Sequence, residues 1–135
     1  MIRQLDDRTL VSGQIAPHEV AGLAEQGVTV IVNNRPDGEE PGQPLAAELE
    51  AAAQQAGIAY RFVPIIRGIG PADVESMQEA LREVGRGRML AFCRSGMRSA
   101  LACALAHRQE GASADLVIDR LTQAGFDPGP IAHLL

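Results

Sequence analysis

The sequence has no tryptophan, one tyrosine and three phenylalanines, and its formal net charge is −5. A surface that grips nucleic acid combines basic patches with aromatic stacking platforms, so this composition argues against nucleic acid as a partner. No run approaches the roughly 20 apolar residues that span a bilayer, and the opening segment from Met1 to Arg8 lacks the apolar stretch of a signal peptide. A cytoplasmic location away from membrane is the expectation. Cysteine is scarce too: Cys93 and Cys103 are ten residues apart, one expected at a strand end and the other inside the following helix. That spacing suits no structural disulfide, and two thiols are too few for a zinc site. Both are expected as reduced thiols, with no metal and no cofactor. His18, His107 and His133 are scattered and show no ligand spacing.

There are also no internal repeats, low-complexity tracts or linkers, so residues 1–135 read as a single domain. With 46% hydrophobic residues the chain can bury a core. Short apolar runs alternate with helical patterns. Leu10 to Ile15 reads as a strand, and Pro17 opens a helix that buries Val20, Leu23 and Ala24 and stops at Gly27. Val28 to Val32 is a continuous β-branched run, as a centrally placed strand covered on both faces requires. Leu45 to Ala56 is amphipathic, Ile58 to Ile65 is the next strand, and a helix from Pro71 presents Val74, Met77, Leu81 and Val84 before Gly85. Met89 to Phe92 is a strand. Ser99 to His107 is almost entirely Ala, Leu and Cys, a helix enclosed by neighbours. Ser113 caps a last helix through Ala124, and Pro130 starts a terminal turn. The alternation implies a three-layer α/β fold, a mainly parallel sheet flanked by helices.

In such sheets ligands bind beyond the carboxyl ends of the strands. Cys93-Arg94-Ser95-Gly96-Met97-Arg98-Ser99 lies at one such end. Backbone N–H groups from Arg94 to Ser99 can wrap an oxyanion, the helix beginning near Arg98 adds its positive end, and the Arg98 guanidinium can clamp two oxygens. Arg94, Ser95, Gly96, Met97, Arg98 and Ser99 are thus the candidate anion cradle, and a Cys93 thiolate facing the bound group is the candidate nucleophile. Ser99 has two readings, a hydroxyl that stabilises the thiolate or one that satisfies groups at the helix start. The loop Asn33 to Pro44, twelve residues with three prolines and three acids, belongs to the same sheet edge. It is either a stiff surface loop or an active-site wall in which Asp37, Glu39 or Glu40 supplies an acid, or Arg35 anchors the loop; Asp37 is the acid chosen as catalytic. Arg94 points to solvent or pairs with that acidic loop. Asp73 reads as a helix-start acid, Cys103 as core, and Tyr60 and Phe62 as packing.

The cysteine loop resembles that of the bacterial tyrosine-phosphatase-like domain also found fused to metallo-β-lactamase-fold hydrolases, in the beta-lactamase hydrolase-like proteins. Asn33 to Pro44, Ser12-Gly13-Gln14 and Val63-Pro64-Ile65 extend the resemblance over nearly the whole chain. It implies a protein tyrosine phosphatase-like fold and cysteine-dependent hydrolysis of phosphate monoesters, phosphotyrosine included, through a phosphocysteine. A metallo-β-lactamase-fold hydrolase acting in trans is an implied partner. The chain departs from the phosphatase pattern in three places. Phe92 stands where a histidine is usual, the loop is Cys-x4-Arg where phosphatases have Cys-x5-Arg, and Pro64 to Gly68 holds Arg67 where dual-specificity phosphatases place an acid. The shorter loop resembles that of rhodaneses. A sulfurtransferase that carries sulfane sulfur as a Cys93 persulfide is therefore the alternative, and a non-catalytic anion-binding module the third reading.

Overall fold

A computed structural model describes all 135 residues. Strand β1 (Ile2–Asp6) and β2 (Thr9–Ser12) lead into a 3₁₀ turn at Pro17–Glu19 and helix α1 (Val20–Glu25). Then follow β3 (Val28–Asn33), α2 (Ala46–Ala56), β4 (Ala59–Phe62), α3 (Pro71–Glu83), β5 (Arg88–Phe92), α4 (Met97–Gln109), α5 (Ala114–Gln123) and a terminal 3₁₀ segment, Gly129–Leu134. The five strands lie in the order β1-β2-β5-β3-β4, all neighbours parallel except the β1–β2 pair. The three-layer, mainly parallel architecture expected from the alternation is present.

Side chains of a strand alternate between faces, and here both faces are apolar. Val30, Val32, Met89 and Ala91 point to the side covered by α3, α4 and α5, where they meet Met77, Leu101, Leu105, Val117 and Leu121. Ile31, Leu90 and Phe92 point to the other side, against Val20, Leu23, Leu49 and Ala53 of α1 and α2. Helix α4 is enclosed as its composition requires: every residue from Ser99 to His107 is buried. No helix is long and apolar enough to cross a membrane.

Three elements differ from expectation. β1 is an edge strand in which Leu5 alone is buried, so it carries no apolar pattern. It is held by pairing with β2 and by the Arg3 guanidinium, whose Nη1 donates to the Ala124 carbonyl at 2.7 Å. β2 ends at Ser12 rather than Ile15 because the chain turns away at Gly13 to meet the loop after β5. β4 stops at Phe62, although Val63 N–H and Ile65 N–H still donate to the Asn33 and Asn34 carbonyls at 2.8 and 3.0 Å.

Candidate active site

The interior of β5 is apolar and fully buried from Met89 to Phe92, and Cys93, which follows its carboxyl end, is fully buried as well; the chain first reaches solvent at Arg94 and Ser95. Its neighbours fix that end: Cys93 N–H donates to the Ser12 carbonyl at 3.3 Å, and Asn34 N–H to the Phe92 carbonyl at 2.8 Å. The next residues turn sharply into α4. Gly96 is the residue before the helix and has φ +98°, a conformation that L side chains seldom adopt. Its N–H donates to Cys93 Sγ at 3.1 Å. The sulfur thus sits against the first turn of a 13-residue helix, whose unpaired N–H groups give that end positive character. Gly13 closes the loop from the β2 side: a Cβ there would lie 2.9 Å from the Arg94 carbonyl oxygen. The resulting packing brings Gln14 N–H to the same oxygen at 3.4 Å.

Arg98, one residue into α4, is held from two directions. Its Nη1 and Nη2 donate to the two carboxylate oxygens of Glu39 at 2.7 and 2.9 Å, and Nη1 also donates to the Ile65 carbonyl at 2.8 Å. None of these bonds uses Nε. Glu39 keeps the guanidinium charged, and the nearby Cys93 sulfur adds to that effect. In return the Arg98 hydrogen bonds, with those of Arg35, hold the Glu39 carboxyl down at about 2.

Arg35 anchors the 33–44 loop. It is 1% exposed, and a guanidinium buried so far requires partners for its donors. It finds Glu39 through Nε at 2.9 Å, Glu40 through Nη2 at 2.9 Å and Gln14 Oε1 through Nη1 at 3.0 Å. Arg94 is largely exposed and lies 3.5 Å from Glu40 Oε2, so it pairs with the acidic loop, one of its two expected placements. Glu40 is in consequence also more acidic than usual, first through Arg35.

The structure does not bring Asp37 into this cluster. Its Oδ1 accepts the Ala46 N–H at 2.7 Å, satisfying one of the free donors at the start of α2. The expected catalytic acid is thus placed as a cap of α2, with no contact to Cys93 or to Arg98. Arg67 occupies the segment beside Ile65, and it is no proton donor at neutral pH. Ser99 resolves in favour of structure: it is fully buried and its hydroxyl donates to Asn34 Oδ1 at 2.8 Å. Asn34 Nδ2 is committed to the Val63 carbonyl at 2.9 Å, which fixes the amide orientation and leaves Oδ1 as acceptor. Met97 N–H turns to Ser95 Oγ at 3.3 Å. Burial drives the Cys103 thiol upward, as a core residue should show. Sequence reasoning did not foresee Glu39 as the partner of Arg98 or Asn34 as the partner of Ser99; the only signal was polar residues directly following β3.

Residues 1–111 match the family described as beta-lactamase hydrolase-like protein, phosphatase-like domain. A beta-lactamase hydrolase-like protein of Xylella fastidiosa (strain Temecula1) is 38% identical over 130 residues, which cover 95% of this chain but 30% of that protein. The chain therefore spans less than a third of that relative's length. Among solved structures, a Neisseria meningitidis Z2491 protein provisionally classed as a phosphatase superposes with a TM-score of 0.81 at 30% identity, covering 98% of this chain and 94% of its own. A kinase-associated phosphatase superposes with a TM-score of 0.70 at 19% identity over 96% of this chain and 83% of its own, which speaks to fold alone. Together these are protein tyrosine phosphatase-like folds, in agreement with the three-layer arrangement.

Proposed function

This chain belongs to the phosphatase-like domain family of the beta-lactamase hydrolase-like proteins, and from that premise we propose that it is a cysteine-dependent hydrolase of phosphate monoesters, phosphotyrosine among them. The observation that carries the reading is the Gly96 N–H bonded to Cys93 Sγ at 3.1 Å, at the positive end of α4 and one turn from Arg98. The phosphoryl group seats in the loop from Arg94 to Ser99 with the Arg98 guanidinium on its oxygens. The Cys93 thiolate attacks phosphorus; the S–P bond forms as the P–O ester bond breaks, and the alcohol leaves with a proton from solvent. Water then attacks the phosphocysteine, releasing inorganic phosphate and restoring the thiolate.

The acids nearest the loop are poor proton donors: Glu39, held at about 2, is ionised at neutral pH, and Asp37 caps α2. Turnover should therefore depend steeply on the leaving group. Hydrolysis of p-nitrophenyl phosphate, whose phenolate leaves without help, is the direct test, run from pH 5 to 8 on the wild type and on Cys93→Ser. Release that disappears in Cys93→Ser, with melting temperature nearly unchanged by this near-isosteric exchange, is the expected result. Equal release by both proteins would remove Cys93 as nucleophile.

The same shortage of acid favours one second reading, sulfur transfer. There the thiolate attacks the outer sulfur of thiosulfate, an S–S bond forms and sulfite departs with the electron pair, so no proton is needed. Thiocyanate formation from thiosulfate and cyanide, without p-nitrophenyl phosphate hydrolysis, would replace the phosphatase reading with this one.

A further inference from the structure

Next to Arg98 a groove of about 450 Å³ opens between the segment after β4, helix α4 and the terminal 3₁₀ turn. That volume is within the ~300–1,000 Å³ typical of small-molecule sites. Its walls are aliphatic, formed by Ile65, Ile66, Ile69, Leu101 and Ile131. The only ionisable groups in the lining are Arg98 and His133; no carboxylate faces it. Ile66 is 76% exposed, an apolar side chain left uncovered at the groove's edge. Ile65 joins groove to cradle, because it lines the groove while its carbonyl receives the Arg98 Nη1 hydrogen bond at 2.8 Å.

We propose that this groove receives the organic part of the substrate, and that the substrate is a phosphate monoester with an apolar, uncharged body. The proposal rests on the phosphatase reading of the cradle. Arg98 belongs to both the anion loop and the groove wall, so a molecule with its phosphoryl group on Arg98 has this apolar surface within immediate reach. A sugar or nucleotide body would surrender hydration there and find almost no hydrogen-bonding group in exchange. An aliphatic or aromatic body loses nothing polar and gains from burial. A larger groove, about 570 Å³, lies along α3, but Glu75, Gln78, Arg82 and Gln109 line it and no residue of the cysteine loop does. Chemistry and continuity with Arg98 favour the smaller one.

Binding of n-alkylphosphonates from methyl to octyl, measured by calorimetry on the wild-type protein, tests the groove without requiring turnover. Burial of each methylene should tighten Kd about fourfold until the groove is filled. Ile66→Asn, an exchange at an exposed position, should flatten that slope, and Arg98→Ala should weaken every member of the series. A Kd independent of chain length, or a slope unchanged in Ile66→Asn, or affinity indifferent to Arg98, would overturn the proposal. Failure of the phosphatase reading looks different. Chain-length-dependent, Arg98-dependent phosphonate binding without p-nitrophenyl phosphate hydrolysis would end the catalytic reading and leave the groove assignment supported.

Discussion

Replacing Glu39 by glutamine removes one negative charge and leaves the side chain's shape. The carboxylate accepts two hydrogen bonds from Arg98 and one from Arg35, and these hold it at about 2 against an ordinary 4.5. Taken at face value, that difference corresponds to about 3 kcal/mol of folding stability at neutral pH. The side chain is 26% exposed, and solvent screening of a partly exposed pair brings the expected loss in Glu39→Gln to about 1–2 kcal/mol. The sign with pH follows from the direction of the shift. A carboxyl made more acidic by folding contributes its full stabilisation above the unfolded value and loses it as pH falls through 4.5 toward 2. Urea denaturation of both proteins from pH 7 to pH 3 should therefore show the wild type more stable at pH 7, with the gap reduced by about half at pH 3. A gap that stays constant over this range would show that the glutamate acts by packing and not by charge. No gap at pH 7 would mean that the bonds to Arg98 and Arg35 merely replace equally good hydration.

Asp37→Ala should cost about 1 kcal/mol by uncapping α2, while hydrolysis of phenyl phosphate, whose poorer leaving group gains from a proton donor, stays within a few-fold of wild type; a hundredfold loss at unchanged stability would restore Asp37 as proton donor. Ser99→Ala strands the buried Asn34 Oδ1 and should lower unfolding free energy by about 1–3 kcal/mol, with a change under half that range counting against the Ser99–Asn34 bond. Burial depresses His107, whose Nε2 lies 3.1 Å from Thr9 Oγ1 and 3.6 Å from Asp6 Oδ2, so the folded protein resists its protonation. Stability should consequently be flat with respect to this group above about pH 6.5 and fall as pH drops below it. An NMR titration that found the His107 ring protonating at or above 6.5 would refute that environment.

The sheet was readable because its central strands carry their own evidence. Val28 to Val32 and Met89 to Phe92 are apolar on both faces, which only a doubly covered strand demands, and the helical repeats between them force parallel crossovers. β1 carries no such evidence. Ile2, Arg3 and Gln4 are exposed, and what keeps the strand in place is pairing with β2 together with a hydrogen bond from Arg3 to a carbonyl 121 residues away. Edge strands of this kind are specified by tertiary partners, which no local pattern records. The same holds for β4, where backbone pairing outlasts the regular strand.

The cysteine loop was legible for the opposite reason: seven consecutive residues contain the strand end, the left-handed glycine and the helix start. The choice among Asp37, Glu39 and Glu40 was not, since all three lie within four residues and any could face Cys93. What decides it is Arg35. A guanidinium 1% exposed cannot remain unpaired, and its donors take one oxygen from Glu39 and one from Glu40. Arg98 bonds both oxygens of Glu39, Arg94 meets the other oxygen of Glu40, and Asp37 is left to α2. Arg35, Arg94 and Arg98 against Glu39 and Glu40 is three positive charges against two negative, a surplus of one in this ion-pair network. The two glutamates of the loop therefore do not cancel the three arginine charges. They fix the direction of Arg98 through its Nη groups and leave the network one positive charge in surplus in a chain that is otherwise acidic.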